Sequence, residues 1–151
     1  MAYLTIVNEI KDAIYNLIVA GNIKNLNNVN LTVYKRAIPE DFSQEDCPMA
    51  SVFKSEVSGA ELATDQYDVE LPRSIKISIG LSDFSLVDLD DAEKLTDDLI
   101  EKVLTRLLTD PNLSGKSKGI SVSRIVFNED RREGVWFSEP TIELEVVGTT
   151  L

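Results

Sequence analysis

The chain has 151 residues, 43% of them hydrophobic, which suffices for one domain with its own apolar core and no metal or disulfide staple. Its 26 acids against 15 bases give a net charge of −11, which opposes a grip on nucleic acid and docking on an anionic membrane. It holds no histidine and a single cysteine, Cys47, so Ser–His and Cys–His catalysis, His-based zinc sites and an internal disulfide are excluded.

Thr5 is placed to cap a first helix of about fifteen residues, with Val7, Ile10, Ile14, Leu17 and Ile18 as its apolar stripe. Gly21 suits the left-handed position after its last turn. Asn22 to Asn28 is Asn-rich and reads as a loop. Val29 to Arg36 alternates as a half-buried strand, and Met49 to Val57 is a second. Between them Ile38 to Pro48 is an acidic surface loop. Ser58 to Pro72 is long for a connection, and such loops in compact domains tend to carry function. Ser74 to Ser82 is the clearest strand, with Ile75, Ile77, Ile79 and Leu81 turned inward.

Asp83 to Leu89 leads into the main helix. Asp90 is the expected cap, with Glu93 reaching back three residues later. Ala92, Leu95, Leu99, Val103 and Leu107 form one stripe, widened by Ile100, Leu104 and Leu108. Early acids and late bases suit the helix dipole, and Asp98 with Lys102 adds an i,i+4 pair. Asp110-Pro111-Asn112 stops the helix at a length of roughly 27 Å. After a polar turn, Ile120 to Asn128 is a strand, Glu129 to Gly134 a charged hairpin tip, and Val135 to Val147 the last strand. Pro140 implies an edge position or a bulge there. The expected fold is a single α+β domain over residues 1–151. It has two layers: a mostly antiparallel sheet of four to five strands, with two main helices packed on one face.

Chemistry finds little purchase. The acids around Asp83, Asp88, Asp90, Asp91 and Glu93 lack calcium-loop spacing, and a capped helix start explains them. Gly115, Lys116, Lys118 and Gly119 do not follow the phosphate-loop order. Cys47 sits among acids, which raise a thiol pKa and weaken the nucleophile. Trp136 and Phe137 are adjacent and face opposite sides of a strand: one belongs to the core, and the other, if exposed, marks a partner surface. No catalytic, cofactor-binding or metal residue is assigned, and no cofactor is expected. No secretory signal is visible, and no apolar run approaches the ~20 residues that span a membrane.

The order of elements carries a resemblance. A leading helix, long acidic loops, the strand Arg73-Ser74-Ile75-Lys76-Ile77-Ser78-Ile79-Gly80 and a long second helix come first. Leu107-Leu108-Thr109-Asp110-Pro111-Asn112-Leu113-Ser114-Gly115 follows, then a strand pair closing through Ile142-Glu143-Leu144-Glu145-Val146. This layout resembles the tail terminator (tail completion) proteins of long-tailed bacteriophages, the lambda-type minor tail protein U group. The resemblance implies a non-enzymatic ring, usually a hexamer, assembled in the host cytoplasm and located at the neck end of the virion tail. Such a ring caps the tail tube protein and meets the neck or head connector protein, while DNA passes its lumen without specific binding. An acidic lining suits that passage, since like charges repel. The contact residues expected in the loops and the tip are Phe42, Asp46, Tyr67, Glu129, Arg131, Arg132 and Trp136. The alternatives are a head–tail connector or neck protein of the same layout, a small cytoplasmic enzyme using acidic residues, and an adaptor domain.

Overall fold

A computed structural model describes residues 3–37, 41–58 and 74–147. The elements are α1 (Tyr3–Ala20), β1 (Thr32–Tyr34), β2 (Met49–Ser58), β3 (Ser74–Ser85), α2 (Leu89–Leu107), β4 (Gly119–Val126), β5 (Glu129–Arg132), β6 (Val135–Ser138) and β7 (Thr141–Val147). The fold is α+β, as the periodicities require. Strand β3 runs through the middle of the sheet. It pairs antiparallel with β2 on one side and with β7 and then β6 on the other. Strand β4 pairs with β7, and β5 with β6, again antiparallel. Among the described residues only β1 joins parallel, beside β2.

The sheet thus has seven strands among the described residues, not four to five, yet it is only five positions wide. The expected last strand breaks at Glu139-Pro140 into β6 and β7. Its partner breaks opposite, at Phe127-Asn128, into β4 and β5. Pro140 offers no N–H to a ladder, so pairing stops there. The Pro140 carbonyl still accepts from Leu81 N–H at 2.8 Å, and Glu139 N–H donates to the Asn128 carbonyl at 2.7 Å across the gap. Residues 119–147 therefore form one long interrupted hairpin. Its turn is only Glu133-Gly134, both with positive φ (49° and 81°), as a two-residue type I′ turn demands. The stretch from Glu129 to Arg132, expected in the tip, is a strand.

Both helices lie on one face of the sheet. Val7, Ile10, Ile14 and Ile18 of α1 meet Leu99, Val103 and Leu107 of α2 over Ile75, Ile77, Ile79, Leu81, Ile142 and Leu144. All of these are buried, and Leu17 and Leu104 pack at the margin. Leu108, expected in the stripe, is 75% exposed and caps the helix just past its last residue, Leu107.

Local chemistry shifts several boundaries. The cap of α2 is Asp88, not Asp90: its carboxylate accepts from Asp91 N–H at 2.8 Å. Asp91 turns instead to Ser85, whose hydroxyl donates to it at 2.7 Å. Helix α1 already includes Thr5, so Thr5 is no cap. The left-handed residue after α1 is Asn22 (φ 48°), not Gly21. Gly21 is needed for a different reason. The Arg106 side chain crosses it to donate from Nε to the Leu17 carbonyl at 2.7 Å, and a Cβ on residue 21 would stand 2.9 Å from Arg106 Cδ. Strand β1 is shorter than expected because the preceding loop takes its backbone groups. Asn25 Oδ1 accepts from Asn27 and Val29 N–H, and Leu31 N–H donates to Ile23.

Candidate functional site

Residues on β2, β3 and β6 alternate between two cores. Ala50, Leu81 and Ser138 face the helices; Met49, Phe84 and Phe137 face away. On that outer face, Phe42, Met49 and Phe137 form a small second core, with Tyr34, Cys47, Phe84 and Val135 at its margin. The Phe42 and Phe137 rings meet edge to face at 5.3 Å.

Arg132 is the keystone of this corner. Its guanidinium lies 4.5 Å from the Phe42 ring centroid and 4.7 Å from that of Phe137. It donates from Nη1 to the Phe42 carbonyl at 2.8 Å, from Nε to Asp130 at 2.7 Å and from Nη2 to Glu139 at 3.5 Å. One side chain thereby ties the 41–47 loop to the hairpin. Arg131, its neighbour in the strand, points the other way and stacks on Trp136 at 4.4 Å.

The expected contact residues sort as follows. Phe42 and Arg132 come together, but Phe42 is core, not a free contact. Arg131 and Trp136 form a second pair. Trp136 is half-buried and lies on β6 between β3 and β5, so it is neither exposed nor on an edge strand. Phe137 is the core member of the adjacent pair. Glu129 is exposed on β5 opposite Ser138. Asp46 is exposed but spent locally: it accepts from Ser43 N–H at 2.8 Å, closing a 3-10 turn over Gln44–Asp46. Tyr67 lies outside the described residues, as does most of the Ser58 to Pro72 loop.

The titrating groups of this region follow from burial. The Cys47 thiol is pushed up to about 12, first by burial and then by Asp83, Asp46 and Glu139, against a contact with the Ser82 hydroxyl that lowers it. It stays protonated at neutral pH, which is unsuitable for nucleophilic work. Burial also raises Glu139, helped by Asp130 and opposed by Arg132.

Asp83 is a feature that reading the sequence missed. It was expected in a connecting segment, but it is a strand residue only 1% exposed. It accepts from Asn25 Nδ2 at 3.0 Å and from Phe84 N–H at 2.9 Å. Burial raises its pKa, and Asp91 adds to the rise. Its work is to anchor the Asn-rich loop to the sheet. Nothing in the spacing around Asp83 marks it, because its partner lies 58 positions away.

Among the described residues no three His, Cys, Asp or Glu side chains gather closely enough to hold a metal ion, and no helix is long and apolar enough to cross a membrane. In comparison with known proteins, no family model matches the chain, and no curated protein does.

Proposed function

We propose that the chain is the subunit of a phage tail terminator. Copies of it close into a ring, six-fold as the resemblance implies. The ring caps the tail tube, ends its polymerisation and offers its other face to the neck or head connector. Its place is the neck end of the virion tail, and its role is structural.

The observation that carries this reading is a sheet with, among the described residues, two free and unlike edges. At one end β1 has a described partner on one side only. At the other, β4 and β5 have theirs on one side only. A head-to-tail ring needs two different surfaces per subunit, and unlike edges supply them. The order of elements, from leading helix to closing hairpin, agrees with the tail terminator layout. The net charge of −11 favours a lumen that lets DNA slide without holding it.

Light scattering across a concentration series tests self-closure. The expected result is a plateau at a fixed multiple of the 16.8 kDa chain mass. Growth without a plateau would overturn closure, because a heterologous contact that fails to close makes filaments.

A further inference from the structure

Two connections at one end of the sheet hold four uncovered apolar side chains together, and we infer that this patch is where the ring docks on the tail tube. The inference rests on the ring reading above and names the surface that does the capping.

The strand register fixes which end. Ser85, the last residue of β3, lies opposite Trp136, and Trp136 lies opposite Arg131. The β3–α2 connection and the Glu133-Gly134 turn therefore leave the sheet at the same end. In that connection Leu86 and Val87 are 68% and 76% exposed. An apolar residue just before a helix cap commonly packs on the fourth helical residue. Val87 precedes the cap Asp88 yet stands in solvent, while Ala92 is wholly buried. Helix capping does not account for either side chain.

The second connection is the Asn-rich loop. Asn25 Nδ2 donates to Asp83 Oδ2 at 3.0 Å, two residues before the end of β3, and both residues are buried. Asn25 Oδ1 accepts from Val29 N–H, and Asn25 N–H donates to the Val29 carbonyl. Leu26 and Val29, 59% and 46% exposed, are thereby tied to the same end of β3. One buried amide–carboxylate bond thus fixes both loops, and the patch is ordered before any partner arrives.

Position separates the patch from the ring contacts. The free edges run along β1 and along β4 with β5, whereas the patch lies past a strand end. In a ring closed through those edges, the end of β3 is turned away from both neighbours. Charge narrows the partner. Asp88, Asp90 and Asp91 follow Val87 directly and are exposed; Lys24 borders Leu26. The surface that fits has an apolar recess with a lysine or arginine beside it, facing the start of α2. A second copy does not fit. Its apolar groove between α2 and β4 has no charged side chain in its lining among the described residues. Of the two partners in the ring reading, capping requires the tube, and the tube is the occupant.

Co-sedimentation with purified tail tubes, beside light scattering on the same samples, tests this. Leu86→Ser/Val87→Ser should bind tubes at least about tenfold more weakly than the wild type while keeping the ring mass. Asn25→Ala should weaken binding by a smaller factor, because it frees the loops but keeps the four side chains. Circular dichroism confirms folding, and Leu26→Ser/Val87→Ser replaces a double variant that fails it. Tube binding should also weaken with added salt, and less so in Asp90→Asn. Undiminished tube binding by the double variant would overturn this inference and leave the terminator reading standing. Loss of the ring mass in the folded double variant would overturn it too, by making the patch a contact between subunits. A wild type that closes into a ring but binds no tube would sink the terminator role and the docking surface together.

Discussion

The two faces of the sheet are built from different materials. The helix side is a continuous aliphatic core, in which Ile75, Ile77, Ile79 and Leu81 of β3 are wholly buried under α1 and α2. The outer corner is three buried residues, Phe42, Met49 and Phe137, held in place by a half-buried arginine. The first holds by removing apolar area from water, which does not depend on direction. The second holds by directed contacts, each of which one substitution can remove. Stability of the whole should therefore reside on the helix side, and adjustable local order at the corner.

Substitution on the helix side should have the largest effect. Ile77→Ala leaves a void beneath two helices and should cost about 2–5 kcal/mol in chemical denaturation, as a shift of the whole transition. A loss below 1 kcal/mol would mean that the aliphatic layer is not the main support. Arg132→Ala should cost less, roughly 1–2 kcal/mol, since the side chain is one-third exposed and part of its charge remains solvated. Its signature should be local. Hydrogen exchange should quicken in the hairpin from Glu129 to Ser138 while Ile75 to Ile79 stays protected. Equal quickening in both regions would erase the distinction between the faces. Arg132→Lys should recover only part of the loss, because an ammonium lacks the fork that reaches Phe42, Asp130 and Glu139 together.

The smallest effect sits between the two cores, at Asp83. Burial raises its folded-state pKa above the ordinary value of 3.8, so the folded chain holds this proton more tightly than the unfolded one. That contribution is fully present below pH 3.8 and is lost as the pH rises through the raised folded value. Asp83→Asn does not titrate. The wild type should thus lose stability relative to this variant as the pH climbs from acid to neutral. Parallel stability curves for the two proteins would show that Asp83 carries no such linkage.

What the sequence displays is uneven for the same physical reason. The aliphatic side is legible because burial imprints a period: two in β3, 3.6 in α2. A stop near Pro111 is equally plain, since proline acts locally, although the helix already ends at Leu107. The cap is harder, because Asp88, Asp90 and Asp91 all suit a helix start and only the hydrogen bond to Asp91 N–H selects Asp88. Pro140 announces a break, but not that the opposite strand breaks with it. The outer core is illegible: Phe42 and Phe137 lie 95 positions apart, and no period links them. The burial of Trp136 and the exposure of Leu86 and Val87 are likewise set by neighbours that only the fold provides. Of the expected contact residues, the pairs Phe42–Arg132 and Arg131–Trp136 do meet, on opposite faces of the hairpin.

The most direct test of the ring-capping role is electron microscopy of tail tubes polymerised with and without the full chain. The chain should appear as a ring at one tube end, and tube growth should stop there. Bare ends and unchanged growth at saturating chain would contradict the proposal.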